Sequence, residues 1–517
     1  MNIGNSDNTN NQSSHQSNVS TPRPSAESAA REGQGGGSAM KSLAKDTAIY
    51  GLSSIVGRFL NYLLVPLYTN VISAESGGYG AVTNLYAYVA LILAILTFGM
   101  ETTFFRFANK EGEKSDTVFS TSMLMVGGLS VLFFVLVTIF IGPIGEALRY
   151  PDHHAYILLM AGCVAQDGIQ AIPFCHLRFQ RRPMKFMMLK MMFICLNIGL
   201  NLIWFLWLKE SDVYYVFFLN LICTSIISLM FVPDLLRIHW KFDFKLLRRM
   251  FSYSWPILIL STAAILNQAF DKMVFPMVYD KGDAQQQLGI YGACVKIAMI
   301  MAMITQAFRY AYEPLVFSIA KNKDSKQTYA LGMKYFLIFT LLAFLCVMGY
   351  MDVLKHVIGP GYREGLRVVP IVMAAEIMMG ISMNLSFWYK LIDKTIYGAW
   401  LALVGCAVLV LVNVIFVPQY GYMACAWGGV AGYGTTMLLS YFIGQKKNPI
   451  QYPMLSMGVY VLITAIFFTV MQLLPETWPT WSRLGINTLL IFAFIGHIIY
   501  HDLPLKNLPV VGKYFKK

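Results

Sequence analysis

From about residue 45 onward, apolar runs of roughly 20 to 28 residues alternate with short polar breaks, the length an α-helix needs to cross a ~30 Å hydrocarbon core. The pattern predicts about fourteen membrane-spanning helices, at 45–72, 78–106, 117–143, 153–177, 184–208, 212–236, 251–279, 286–319, 328–350, 365–390, 394–417, 420–444, 454–474 and 481–500. The chain therefore reads as an all-α polytopic membrane protein. Residues 1–40 depart from the pattern, being rich in Asn, Ser, Gln, Gly and Pro with few large apolar side chains. Such a segment cannot bury enough surface to fold, so a disordered tail is expected.

The runs also repeat. Tyr79-Gly80-Ala81, Glu101, Phe105 and Ala108 return as Tyr291-Gly292-Ala293, Glu313, Phe317 and Ala320, at a constant offset of 212 residues. The same offset relates Asn201 to Asn413, Arg178 to Lys390 and Arg182 to Lys394. One register held by polar anchors over more than a hundred residues predicts a duplicated six-helix unit. Six is even, so both copies enter from the same side and form two pseudo-symmetric bundles related by an axis along the membrane normal. The expected organisation is a tail (1–40), an N-terminal bundle (41–237), a cytoplasmic linker (238–250), a C-terminal bundle (251–445), and two accessory helices with a cytoplasmic tail (446–517). Trp240, Phe242, Phe244, Leu246 and Leu247, interleaved with basic residues, suit either an amphipathic segment on the membrane surface or an ordinary basic linker.

Composition agrees with this class: 56% of the 517 residues are hydrophobic and only 13% charged, too apolar for a soluble chain of this length. A net charge of +13 would suggest nucleic acid in a soluble domain. Here it follows from topology, because Lys and Arg gather in alternate breaks, around 110–114, 178–185, 237–249, 321–326, 390–394 and 446–447, and at the C-terminus. That bias places both termini in the cytoplasm and requires an even number of spans. The eight cysteines lie inside apolar runs without a CxxC pair and read as small buried hydrophobes.

No GxxxxGK[ST] loop, G-x-S-x-G elbow or paired-carboxylate constellation is present, which argues against nucleotide hydrolysis and against an enzyme. Asp152-His153-His154 stands at a loop-to-helix junction without further ligands nearby, so no metal site is expected. The informative residues are charges inside spans, where an ionisable group costs several kcal/mol and normally faces a cavity or a partner. Counting along each helix places Arg58, Asp167 and Glu376 near mid-depth, Lys296 and the Asp271-Lys272 pair further out, and Lys190 and Arg309 towards the cytoplasm. Arg58, Lys190, Lys272, Lys296 and Arg309 suit a cationic cavity for an anionic substrate, or salt bridges that only fix the fold. Asp167, Asp271 and Glu376 are candidates for ion coupling or counter-ions. Glu101, Arg106 and Glu313 sit near inner helix ends, where snorkelling or local pairing accounts for them.

Several of these stretches resemble the polysaccharide flippases of the O-antigen (Wzx) type, within the multidrug/oligosaccharidyl-lipid/polysaccharide exporter superfamily. Gly57-Arg58-Phe59-Leu60-Asn61-Tyr62-Leu63-Leu64-Val65-Pro66-Leu67-Tyr68-Thr69 is similar to that family's opening helix, and Gly99-Met100-Glu101-Thr102-Thr103-Phe104-Phe105-Arg106-Phe107 to the close of its second. Asp271-Lys272 stands where the family usually has Asp-Arg, and Ile358-Gly359-Pro360-Gly361-Tyr362-Arg363 resembles its loop before the tenth helix. The resemblance implies a carrier that turns an undecaprenyl-pyrophosphate-linked oligosaccharide from the inner to the outer leaflet of a bacterial inner membrane, for surface polysaccharide such as lipopolysaccharide. It implies no cofactor beyond H⁺ or Na⁺ as coupling ion. Membrane lipids, the lipid-linked oligosaccharide and a polysaccharide polymerase or ligase are the expected partners, with no role for nucleic acid. A lipid II flippase and a cation-coupled multidrug exporter of the same superfamily are the alternatives. The basic balance of the intramembrane charges disfavours the exporter.

Overall fold

The computed structural model describes residues 64–238, 240–318, 325–392, 394–475 and 477–502. The N-terminal tail, the inner part of the first span with Arg58, and the basic C-terminus lie outside the described residues. The helices are α1 (Leu64–Val71), α2 (Gly78–Thr97 and Met100–Ala108), α3 (Ser115–Ile139), α4 (His154–Phe179), α5 (Pro183–Leu202, extended by Ile203–Trp207), α6 (Tyr214–Leu235) and α7 (Phe244–Val278). They continue as α8 (Ala284–Ser318), α9 (Ser325–Gly349), α10 (Val369–Leu385 and Phe387–Leu391), α11 (Ile396–Tyr420), α12 (Tyr422–Lys447), α13 (Met454–Leu473) and α14 (Thr480–His501). Twelve of them are long and apolar enough to cross a membrane. To these are added α12, long but glycine-rich, and the outer end of α1, consistent with about fourteen spans.

Because every span is apolar all round, burial sorts by contact rather than by a polar stripe. On α3, Val118, Phe119 and Val126 are buried while Val131, Leu132, Val135 and Ile139 form an exposed apolar face, which suits lipid. Where helices meet closely they do so through small residues, as packing in lipid requires. Gly405 of α11 and Gly432 of α12 face each other so tightly that a Cβ on either would lie about 3 Å from the other's carbonyl oxygen.

The duplicated unit is visible in helix ends. Phe179 closing α4 and Leu391 closing α10 are 212 apart, as are Leu235 closing α6 and Lys447 closing α12. Asn201 and Asn413 are both fully buried, and each donates to the carbonyl one turn back, Asn197 at 2.7 Å and Leu409 at 2.9 Å. Their other contacts differ. Asn201 Oδ1 also accepts the Tyr68 hydroxyl at 2.8 Å, whereas Asn413 Oδ1 has no partner among the described residues. Asn201→Leu is therefore expected to destabilise the detergent-solubilised protein by about 1–3 kcal/mol, and Asn413→Leu by clearly less, which thermal unfolding of the two variants would resolve.

Two expectations change. The second span is not continuous: Phe98 (φ 51°) and Gly99 (φ 66°) are left-handed and break α2, with Phe98 stacked on Phe251 at 4.3 Å and Gly99 packed against Ile257 and the Ser254 carbonyl. The linker expected at 238–250 becomes helical at Phe244, because Asp243 caps α7 by accepting from Leu246 N–H at 3.0 Å. That bond holds the Asp243 carboxyl below the usual carboxylate range, so the cap contributes above the ordinary carboxylate pKa and is lost as pH falls through the lowered one. Leu246 and Met250 are fully buried against Met100, Phe104 and Phe119, while Trp240, Phe242 and Phe244 stay exposed.

A glycine seam and paired charges between two bundles

"Outer" here denotes the side opposite the Lys- and Arg-rich breaks. On that side the two bundles are sealed along α2, α7 and α8, and the duplicated Tyr-Gly-Ala motif forms the seal. Gly80 approaches α8 so closely that a Cβ would sit 1.9 Å from the Gln285 carbonyl oxygen, and a Cβ on Gly292 would sit 2.3 Å from Thr83 Oγ1. Asn84 Nδ2 donates to the Lys272 carbonyl at 2.7 Å and the Tyr88 hydroxyl to that of Met273 at 3.0 Å. Above them the Tyr150 hydroxyl donates to Asn84 Oδ1 and accepts from Gln285 Nε2. The loop before α10 adds Gly359 N–H to Thr69 Oγ1 and the Tyr362 hydroxyl to the Ile72 carbonyl, each at 3.0 Å. These bonds supply partners across the seam, as dry backbone requires, while Gln285 Oε1 is left without one among the described residues.

Beneath the seal lies the densest group of charges in the C-terminal bundle. Asp271 on α7 is buried, receives the Tyr291 hydroxyl at 2.7 Å and pairs with Lys272 Nζ at 3.0 Å. Lys272 also donates to the Gln268 carbonyl and lies over the Tyr291 ring. Its charge acts on Lys296 of α8 and on Glu376 of α10, so residues far apart in sequence share one field. Glu376 Oε2 is buried without a hydrogen-bond partner among the described residues, beside Tyr433 of α12.

The N-terminal bundle holds a sparser counterpart. Asp167, midway along α4, interacts with Lys190 of α5, and Lys190 in turn with Glu101 of α2. Lys190 Nζ sits 3.9 Å over the Phe174 ring, within range of a cation–π attraction. Neighbouring Gln166 and Gln170 bridge to Ser225 and Ser228 of α6.

A third group occupies the inner ends of α8 and α10. Lys390 Nζ donates to Glu313 Oε1 at 3.1 Å, and Arg309 Nε stands 4.0 Å from Glu313 Oε2. The local pairing expected for Glu313 is thus present. Arg106, expected to snorkel, lies 4.1 Å over the Tyr253 ring. The structure accordingly gathers Lys272, Lys296, Asp271 and Glu376, keeps Asp167 with Lys190, and sets Arg309 apart; Arg58 lies outside the described residues. Sequence reasoning missed Tyr291 and Tyr433 as partners of the buried acids, and the single available signal was Tyr291 in the repeated motif.

A family model described as polysaccharide biosynthesis protein matches residues 43–320, more than half of the chain. The chain belongs to this family. No curated protein matches the sequence. Among solved structures, the lipid II flippase MurJ in an inward closed conformation is similar with a TM-score of 0.70 and 16% identity, covering 87% of this chain and 98% of MurJ. An inward-facing multidrug resistance MATE transporter of the MOP superfamily is similar with a TM-score of 0.60 and 14% identity, over 78% and 95% of the two chains. An outward-facing MATE structure follows at 0.55 and 14%, over 81% and 96%. At these identities the likeness is one of fold. The family member is thus an all-helical membrane protein of MurJ/MATE-like architecture, with a small-residue seam on one side and paired charges beneath it.

Proposed function

We propose that this protein is a flippase that carries an undecaprenyl-pyrophosphate-linked oligosaccharide from the inner to the outer leaflet of the bacterial cytoplasmic membrane, by alternating access, for surface polysaccharide biosynthesis. The observation that carries the reading is the ammonium of Lys272, held by Asp271 at 3.0 Å on a stretch of α7 whose backbone bonds Asn84, beside a seam closed by glycines. A diphosphate needs such charges where lipid and protein exclude water, since ammonium–phosphate hydrogen bonds are the strong ones. The glycine seam supplies an interface that can part without tearing interlocked side chains. Glu376, with its unpartnered oxygen, and Asp167 are the coupling candidates for H⁺ or Na⁺. With both termini cytoplasmic, the basic breaks face anionic headgroups of the inner leaflet.

A strain lacking the protein is expected to accumulate lipid-linked oligosaccharide in the inner leaflet. Wild type clears it, while Arg58→Ala and Lys296→Ala, inserted at normal levels, clear it on the order of tenfold to a hundredfold more slowly, as loss of a charge-assisted contact implies. Absence of accumulation in the deletion strain contradicts the substrate assignment. The MurJ-like architecture favours lipid II as the second reading; rescue of a strain depleted of its lipid II flippase would move that reading to first place.

A further inference from the structure

Between the inner ends of α8 and α10 lies a cavity of about 50 Å³, walled by Thr305, Arg309, Tyr312, Asn384, Phe387 and Lys390. At roughly 10–15 Å³ per water-sized centre it admits a few waters or one small oxyanion group, and no sugar ring. Its polar lining is unsettled. Thr305 is buried and its Oγ1 has no hydrogen-bond partner among the described residues, and Arg309 Nε, likewise without a hydrogen bond there, has Glu313 Oε2 at 4.0 Å. Lys390 donates to Glu313 and lies 5.1 Å from the Phe387 ring. Two cations thus border a small void, and Glu313 pairs with both.

We infer that this cavity is an anion subsite for one phosphoryl group, free or part of a diphosphate, arriving from the cytoplasmic side, with Glu313 as the carboxylate that the incoming oxyanion displaces. Arg309 and Lys390 supply charge-assisted hydrogen bonds beside the rings of Tyr312 and Phe387. In the other repeat, position 212 residues earlier puts Arg178 opposite Lys390, yet Arg178 lies over the Phe105 ring at 4.9 Å. The subsite therefore belongs to the C-terminal bundle, apart from the Lys272 and Lys296 pair. The inference deepens the flippase reading and rests on it for the phosphate's source, a lipid headgroup; free phosphate is the other source.

Binding of inorganic pyrophosphate and of a short-chain prenyl diphosphate to the purified full-length protein separates these cases. Wild type is expected to bind at least one of them saturably, more weakly as salt rises. Arg309→Gln and Lys390→Gln should weaken binding on the order of tenfold, whereas Glu313→Gln, which frees both cations, should tighten it. That opposite sign distinguishes a site from a fold contact. Prenyl diphosphate binding that pyrophosphate does not displace identifies a headgroup subsite; equal competition identifies a free-phosphate site. No saturable binding of either probe, or binding that all three variants leave unchanged, overturns the inference. Because binding is read without transport, lipid flipping by a protein that lacks this binding leaves the flippase reading standing, and binding without flipping leaves the subsite.

Discussion

Gly80→Ala is expected to abolish transport while the protein still inserts and folds. The new methyl would lie 1.9 Å from the Gln285 carbonyl oxygen and 2.7 Å from its carbon, and backbone cannot rotate away as a side chain can. Relief requires α2 and α8 to separate, at a cost of about 1–3 kcal/mol for overpacking. Separation would also break the bonds from Asn84 and Gln285 that seal the seam. Cys294 is a built-in reporter: it is fully buried under the seam, its thiol directed at the Tyr362 carbonyl. Its labelling by a membrane-impermeant maleimide, resolved by peptide mass spectrometry, should rise in Gly80→Ala. Gly127→Ala, where nothing lies within 4 Å, should behave as wild type. Normal transport with Cys294 still protected in Gly80→Ala would remove the seam from the mechanism.

Asp271→Ala is expected to be among the most destabilising single changes in the spans. It strips Lys272 of its carboxylate and the Tyr291 hydroxyl of its acceptor, and removing one partner of a buried pair costs about 3–5 kcal/mol. Side-chain exposures of 20% for Lys272 and 11% for Asp271 place the effect towards the lower end. The paired change Asp271→Leu with Lys272→Met should recover most of that stability, since apolar replacement of a whole buried pair is often neutral. Transport should not return with it, because the Lys272 ammonium beneath the seam is gone. Thermal unfolding in detergent and a transport assay on the same variants read the two effects separately. A double variant that transports normally would reduce the pair to a structural role.

How far the sequence carried the account depends on what each feature requires. The 212-residue register was legible because it rests on polar anchors, and it reappears in the matched ends of α4 and α10 and the mirrored bonds of Asn201 and Asn413. The break in α2 was not, because Thr97-Phe98-Gly99-Met100 contains no charge or proline, and hydropathy does not register φ. The start of α7 was misplaced for the opposite reason: Lys245, Arg248 and Arg249 look like loop, yet they belong to a helix whose other face, Leu246 and Met250, is buried. Within the site, the adjacency of Asp271 and Lys272 was readable from spacing alone. That Lys296, Glu376 and Tyr433 share their field was not, since helix rotation about its axis is fixed by packing between bundles and leaves no trace in a single apolar run.

The central claim, that this family member moves a lipid-linked oligosaccharide across the bilayer, is tested most directly in proteoliposomes. Purified protein would be reconstituted with a polyprenyl-diphosphate oligosaccharide placed in one leaflet, and the glycan reaching the other leaflet followed by its susceptibility to an impermeant glycosidase. The account predicts transfer that depends on the protein and is lost in Lys296→Ala and Gly80→Ala. Transfer no faster than in protein-free vesicles, with the same preparation exporting a cationic dye, would contradict it and favour a drug exporter.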